Sequence, residues 1–340
     1  MALQCSMFNV QCSTPPSTLY IGGGTPSLYR AEELGELIIG AKKLWKCAFE
    51  EITVEMNPED VTQIYCKALA QFGVNRLSFG LQSFFDEHLH FMNRRHNAKQ
   101  GIRAFESARS AGFQNLSIDL IFGFPGLTIS QWRSNIEQAM RLNPEHISAY
   151  SLGIERGTPF YKMHQQGTLQ PVLQEEVADQ YAMLQELLPS AGWEHYEISN
   201  FAREGYRSRH NSAYWQGIPY LGLGPSAHSY DGAARHFNVR NLKRYLDGVP
   251  PKVELLWPRK RYNEFIMTRL RTSGGFSECE LISQMEIWCT PRFIKKMMHH
   301  LHAMSASLLQ KGLLTLYNEH YTIPYDKWFV SDGIIVSLMM

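Results

Sequence analysis

From Leu19 to Tyr150 two apolar rhythms take turns along the chain. Short runs rich in apolar and β-branched residues, "STLYI", "EEITVEM", "VNRLSFGLQ", "NLSIDLIFG" and "EHISAYSL", have the length of strands. Between them lie longer stretches such as "AEELGELIIGAKKLW", "DVTQIYCKALAQFG", "AKQGIRAFESARSAG" and "SQWRSNIEQAM". In the first of these, Leu34, Leu37, Ile38 and Ala41 recur at the spacing of one helix face. Gly73 and Gly112 stand where a helix end takes a glycine. Strand and helix in repeated alternation predict parallel strands joined by right-handed crossovers, in a barrel or an open α/β sheet.

After Tyr150 the alternation fades. "ERGTPFYKMHQQG" carries turn residues and reads as a loop, "QEEVADQYAMLQELLPSAG" as an amphipathic helix ended by Pro189 and Gly192, and "HYEISNFA" as one more strand. "SRHNSAYWQGIPYLGLGPSAHSYDG" reads as a loop rich in His, Asn, aromatics and Gly. The expected organisation is an irregular N-terminal remnant (1–18), a partial (β/α) barrel with a connecting loop region (19–250), and a small, mainly helical C-terminal domain (251–340) that begins at Pro250-Pro251.

Composition narrows the function classes. A hydrophobic fraction of 44%, a charged fraction of 19% and a net charge of +1 supply no electrostatic reason to expect nucleic acid or an acidic membrane as partner. No run approaches the roughly 18 apolar residues of a membrane helix, and the first residues lack the pattern of a secretory signal, so the chain is read as cytoplasmic. The cysteines at 5, 12, 47, 66, 279 and 289 form no Cys-x-x-Cys, which points away from a zinc site or a disulfide framework.

The candidate chemistry lies at strand ends. "YIGGGTPSLY" is a strand-to-helix loop whose glycines let backbone N–H groups approach a ligand. Glu55, Gln82, Ser83 and Asp119 fall near the carboxyl ends of the following strands, where an α/β barrel builds its site. Each also has a plainer reading, as a solvated carboxylate, a turn residue or an acid capping a loop. Arg94 or Arg95, in "MNRRHN", could pair with a ligand carboxylate or simply be solvated. Tyr214 and Trp215 suit a flat ligand, or the packing of a loop.

Taken in order, "YIGGGTPS", "EMNPED", "VNRLSFGLQSF", "NRRH", "SIDLIFGFPG", "YEISNFA", "HNSAYW" and "YLGLGPSAH" resemble the radical S-adenosylmethionine proteins related to oxygen-independent coproporphyrinogen III oxidase, most closely their haem-chaperone (HemW-type) branch. The resemblance runs from about Leu19 to the carboxyl terminus. It implies an α/β partial barrel of the radical S-adenosylmethionine type. It also implies that Gly23, Gly24, Thr25, Glu55, Gln82, Arg94 and Asp119 bind S-adenosylmethionine, with His228 near that cofactor. His210, Asn211, Tyr214 and Trp215, in the "HNSAYW" that resembles the branch's HNxxYW signature, inherit a role in handling haem, with His210 the candidate iron ligand. A haem-accepting protein becomes a possible partner.

One departure from the family stands out. Its members hold a [4Fe–4S] cluster on a Cys-x-x-x-Cys-x-x-Cys loop after a first strand. Here Cys5 and Cys12 are too far apart for that motif, no third cysteine is near, and the first strand-helix unit is not found. The expectation is therefore a haem-binding protein, late in its start, without radical chemistry as written and with S-adenosylmethionine binding weak or lost. The alternatives are an active porphyrinogen oxidoreductase and a non-functional fragment.

Overall fold

A computed structural model describes residues 15–340; Cys5, Cys12 and the greater part of the expected N-terminal remnant lie outside the described residues. The chain divides into two compact units, Ser17–His210 and Asn211–Met340.

In the first unit β1 (Thr18–Ile21), β2 (Glu51–Met56), β3 (Arg76–Gln82), β4 (Leu116–Phe122) and β5 (His146–Ser151) are parallel neighbours in chain order. The helices between them are α1 (Ala31–Trp45), α2 (Gln63–Gln71), α3 (Asp86–Phe91), α4 (Ala98–Ser110) and α5 (Ile129–Leu142). These are the strands and helices that the alternation predicts, with α3 added. Then follow α6 (Pro159–Gln165), α7 (Gln174–Ser190), β6 (Glu194–Glu197) and β7 (Asn200–Ala202). The sheet order is β1-β2-β3-β4-β5-β7-β6, an α/β half-barrel in which β7 runs antiparallel to both of its neighbours, β5 and β6.

The faces of the sheet follow from strand register. Glu55 lies beside Ser78, Ser78 beside Ser117, Ser117 beside His146, and Asp119 beside Ser148, so one face is a polar ladder. The alternate positions pair Val54 with Leu77, Met56 with Phe79, and Ile118 with both Phe79 and Ile147, all of them buried. That apolar face packs on the helices, with Phe79 against Phe105 of α4 and Phe122 against Trp132 of α5. Alternation at period two thus separates an apolar core face from a polar one, in which buried groups such as Ser117, His146 and Tyr196 hydrogen-bond to one another.

Three local readings are corrected. "HYEISNFA" is a hairpin, because Ile198-Ser199 turns the chain between β6 and β7 instead of extending one strand. The turn residues of "ERGTPFYKMHQQG" start a helix: the Thr158 hydroxyl accepts from the Tyr161 N–H and Pro159 takes the first position of α6. "RHNSAYW" is also helical, as α8 (Arg209–Trp215), and its first N–H groups, those of Arg209 and His210, donate to the Glu51 carboxylate at 3.1 and 3.0 Å.

In the second unit β8 (His228–Tyr230), β9 (Ala234–Phe237) and, after α9 (Leu242–Leu246), β10 (Lys252–Leu255) form an antiparallel sheet. The proline pair at 250–251 leads directly into β10. Beyond it come α10 (Pro258–Arg269), β11 (Phe276–Ser277), α11 (Glu278–Glu286), α12 (Pro291–Gln310), β12 (Thr315–Tyr317), β13 (His320–Thr322) and α13 (Ser331–Leu338). Among the described residues no helix is long and apolar enough to cross a membrane.

Candidate functional site

The glycines after β1 have separate tasks. A Cβ on Gly22 would lie 2.5 Å from the Tyr20 ring and 2.7 Å from Glu55 Cδ, so this position must be bare for β1 to approach the Glu55 side chain. Gly23 and Gly24 take left-handed φ values of 74° and 68°, which glycine adopts without strain. The turn fixes a carboxylate: the Tyr20 hydroxyl donates to Glu55 Oε1 at 2.7 Å and the Gly23 N–H to Oε2 at 3.0 Å. Burial, then the Glu55 charge, keeps the Tyr20 phenol protonated far above its usual range.

Opposite Glu55, the β3–β4 register slips between Phe79 and Gln82, and Gln82 takes a φ of 66°. Such an irregularity re-aims a side chain. Gln82 folds back over Gly80, where a Cβ would meet its Nε2 at 2.8 Å. Arg94 is desolvated enough for burial to lower its pKa, yet a guanidinium stays charged. Ser78 donates to Asp119 Oδ1 at 3.4 Å, and burial pushes the Asp119 carboxyl up to about 6.

Gly24, Glu55, Gln82, Arg94 and Asp119 therefore line one cavity of about 200 Å³. Gly23 reaches it through Glu55, while Thr25 precedes a short 3₁₀ turn, Pro26–Leu28, and its carbonyl accepts from Leu28 N–H at 3.2 Å. The arginine pair is resolved by packing: Arg94 lines the cavity, whereas Arg95 pairs with Glu59 at 2.8 Å. Sequence reading passes over Tyr20, Ser78 and Gly80, although Ser78 and Gly80 share the strand parity of Gln82 and could have been found by it.

Asp119 gives a pH signature. Its folded pKa is raised above the ordinary value of 3.8, so the fold binds this proton more tightly than the unfolded chain does, and its ionisation destabilises the fold. Stability should fall by up to about 3 kcal/mol as pH rises from about 4 through 6. Asp119→Asn should flatten that part of the profile in denaturant melts, and an unchanged slope would remove Asp119 as its source.

The donor set can be tested against the groups that the family resemblance implies. A fixed carboxylate facing a guanidinium fits the ammonium and carboxylate of an amino acid, and hence the methionyl end of S-adenosylmethionine. The described residues do not fit an iron–sulfur cluster: their cysteines are Cys47, Cys66, Cys279 and Cys289, and no group of three His, Cys, Asp or Glu among them could hold a metal.

The residues of "HNSAYW" have different settings. In the first unit His210 stacks on Tyr20, with centroids 4.7 Å apart and planes at 19°, and its Nδ1 is 3.2 Å from Thr18 Oγ1. Burial, and secondarily Arg76, pushes its pKa down to about 4, so the imidazole is neutral. In the second unit Asn211 is half-buried on α8, while Tyr214 and Trp215 line a cavity of about 250 Å³ with Tyr220, Phe265 and Trp288. Tyr214 meets Tyr220 edge to face at 4.6 Å. His228, on β8, packs its ring edge on Phe237 at 4.6 Å and is not among the residues lining the rim cavity.

The protein is an α/β half-barrel with a polar inner ladder and a glycine-framed, charged cavity at its rim, and residues 13–139 match the Radical SAM superfamily. The fold is shared with coproporphyrinogen III oxidase (HemN) from Escherichia coli, at a TM-score of 0.77 and 20% identity over 95% of this chain and 78% of that one. The chain is 40% identical over 256 residues to the haem chaperone HemW of Bacillus subtilis, covering 74% of this chain and 68% of the relative. It is 34% identical to the HemW of Synechocystis, with coverages of 79% and 68%. It is 36% identical to the mitochondrial radical S-adenosyl methionine domain-containing protein 1 of Bos taurus, with coverages of 95% and 75%. The chain belongs to the HemW family of haem chaperones within the radical SAM superfamily, and spans about two thirds of the length of the bacterial members that it matches.

Proposed function

We propose that this chain binds haem through the cavity lined by Tyr214 and Trp215, and that its barrel rim receives the methionyl end of S-adenosylmethionine. The observation that carries the haem reading is that two residues of "HNSAYW" form part of an aromatic-walled cavity instead of a packed core; Tyr214 is 41% exposed. Flat macrocycles bind to such surfaces by burying apolar area. At the rim Arg94 would hold the carboxylate and Glu55 the ammonium, with the Tyr20 hydroxyl and Gly23 N–H keeping Glu55 in place. When bound, this cofactor supplies a sulfonium centre. On this reading the chain works in the cytoplasm and passes haem to an accepting protein.

His210, which belongs to the first unit, is proposed separately from that cavity as a candidate iron donor, because its imidazole is neutral, the form that ligates metals. A haem titration followed at the Soret band tests both assignments. Trp215→Ala should weaken affinity by about 1–3 kcal/mol, roughly five- to 150-fold. His210→Ala should move the band. A folded wild-type protein that leaves the haem spectrum unchanged would overturn the reading, and a band unmoved in His210→Ala would reassign that residue to packing on Tyr20.

A further inference from the structure

The haem reading leaves Arg261 unused, and its setting is unusual. It lies in the first turn of α10 and is 8% exposed. Nη1 donates to the Gly232 carbonyl at 2.7 Å and Nη2 to the Ala233 carbonyl at 2.9 Å, while the guanidinium lies over the Trp288 indole at 4.1 Å from the ring centroid. These partners are neutral. Nearby carboxylates are engaged elsewhere: Glu264 pairs with Arg235 at 3.0 Å and Glu280 with Arg269 at 2.8 Å. A buried cation whose hydrogen bonds go to carbonyls retains its full charge, and such a charge is costly unless a counter-ion meets it.

Arg261 and Trp288 both line the aromatic cavity. Of the charged residues lining it, Arg235 is paired with Glu264 and Arg269 with Glu280, which leaves one surplus positive charge, that of Arg261. The wall thus combines broad ring surfaces with surplus cationic charge, and the complement of both is a flat ring system that bears carboxylates.

We infer that this cavity selects flat ligands by their carboxylates, with Arg261 as the carboxylate partner and Trp288 as the ring surface beside it. Resting on the haem reading, the inference assigns a propionate of the porphyrin to Arg261. Arg261 then discriminates dianionic porphyrins from their neutral derivatives, which aromatic stacking alone does not do.

The test compares haem with its dimethyl ester, in which the carboxylates are blocked, by Soret titration of the full chain. Pyrenebutyrate and pyrenebutanol, followed by tryptophan quenching, serve as a second acid and neutral pair. Wild-type protein should bind the acid of each pair at least about tenfold more tightly than its neutral partner. Arg261→Met, which keeps apolar length and removes the charge, should lose about tenfold for the acids, leave the neutral ligands unchanged and so abolish the discrimination. Equal binding of acid and ester by the wild type would overturn the inference, as would an equal loss for both in the variant. The wild-type comparison decides even where Arg261→Met proves unstable. Discrimination within the pyrene pair without haem binding would overturn the haem reading and leave this inference standing; failure to bind either acid would overturn both.

Discussion

Gly222→Ala is expected to destabilise the Asn211–Met340 unit by about 3 kcal/mol or more, the upper end for overpacking a closed site. A Cβ there would lie 2.0 Å from the His228 carbonyl oxygen, which belongs to the backbone of β8 and cannot rotate aside. Relief would pull the Gly222 segment away from β8 and from Asn238, to which it is held by the Gly222 N–H donating to Ser229 Oγ at 2.9 Å and by Asn238 Nδ2 donating to the Gly222 carbonyl at 3.3 Å. Differential scanning calorimetry should show the melting temperature of this unit lowered by on the order of 10 °C. Gly274→Ala is the control, because a Cβ there meets nothing within 4 Å. Equal melting of the two variants would mean that the close approach at Gly222 relaxes without cost. The glycine of "YLGLGPSAH" thus has a packing reason as well as a place in a family motif.

Glu55→Ala should have the largest effect at the rim, lowering affinity for S-adenosylmethionine at least tenfold, the equivalent of about 1.4 kcal/mol. It removes the carboxylate that would meet the ligand's ammonium, and it deprives the Tyr20 hydroxyl and the Gly23 N–H of their acceptor. A buried donor left without an acceptor costs about 1–3 kcal/mol, so the variant should also be less stable. Glu55→Gln separates the two effects in part, since its amide oxygen still accepts from the Tyr20 hydroxyl while the charge and the acceptor of the Gly23 N–H are lost. Gly22→Ala should weaken binding in the same direction by displacing Glu55, whose Cδ lies 2.7 Å from the added Cβ position. Calorimetric titration of the three variants checks this, and wild-type affinity in both Glu55 variants would end the assignment.

The α/β class was legible because periodicity is a local property. Strand-length apolar runs and the stripe of α1 are written within a few residues of one another, and β1 to β5 and their principal helices appear where that pattern puts them. Even so, Leu37, counted in the stripe of α1, is 42% exposed, because the width of a buried face depends on what covers it. Glu55, Gln82 and Asp119 were legible as a group because strand ends share a rim, and their convergence on one cavity follows from parallel register.

The rest required the tertiary structure. Arg94 and Arg95 are adjacent and chemically identical; the family resemblance singles out Arg94, but the physical reason, Arg94 in the cavity and Arg95 against Glu59, lies in the packing. Tyr20 reads as an ordinary strand aromatic until Glu55, 35 residues on, supplies the acceptor for its hydroxyl. The start of α8 is satisfied by Glu51, 158 residues before Arg209, a pairing that no local rhythm encodes. Arg261 and Trp288 lie apart in sequence, and it is folding that stacks one on the other. The sequence by itself determined which segments are strands and helices, because backbone hydrogen bonding and burial act over a few residues. Only the tertiary structure decided which charges are paired and which face a cavity, because electrostatic partners are set by distance in space.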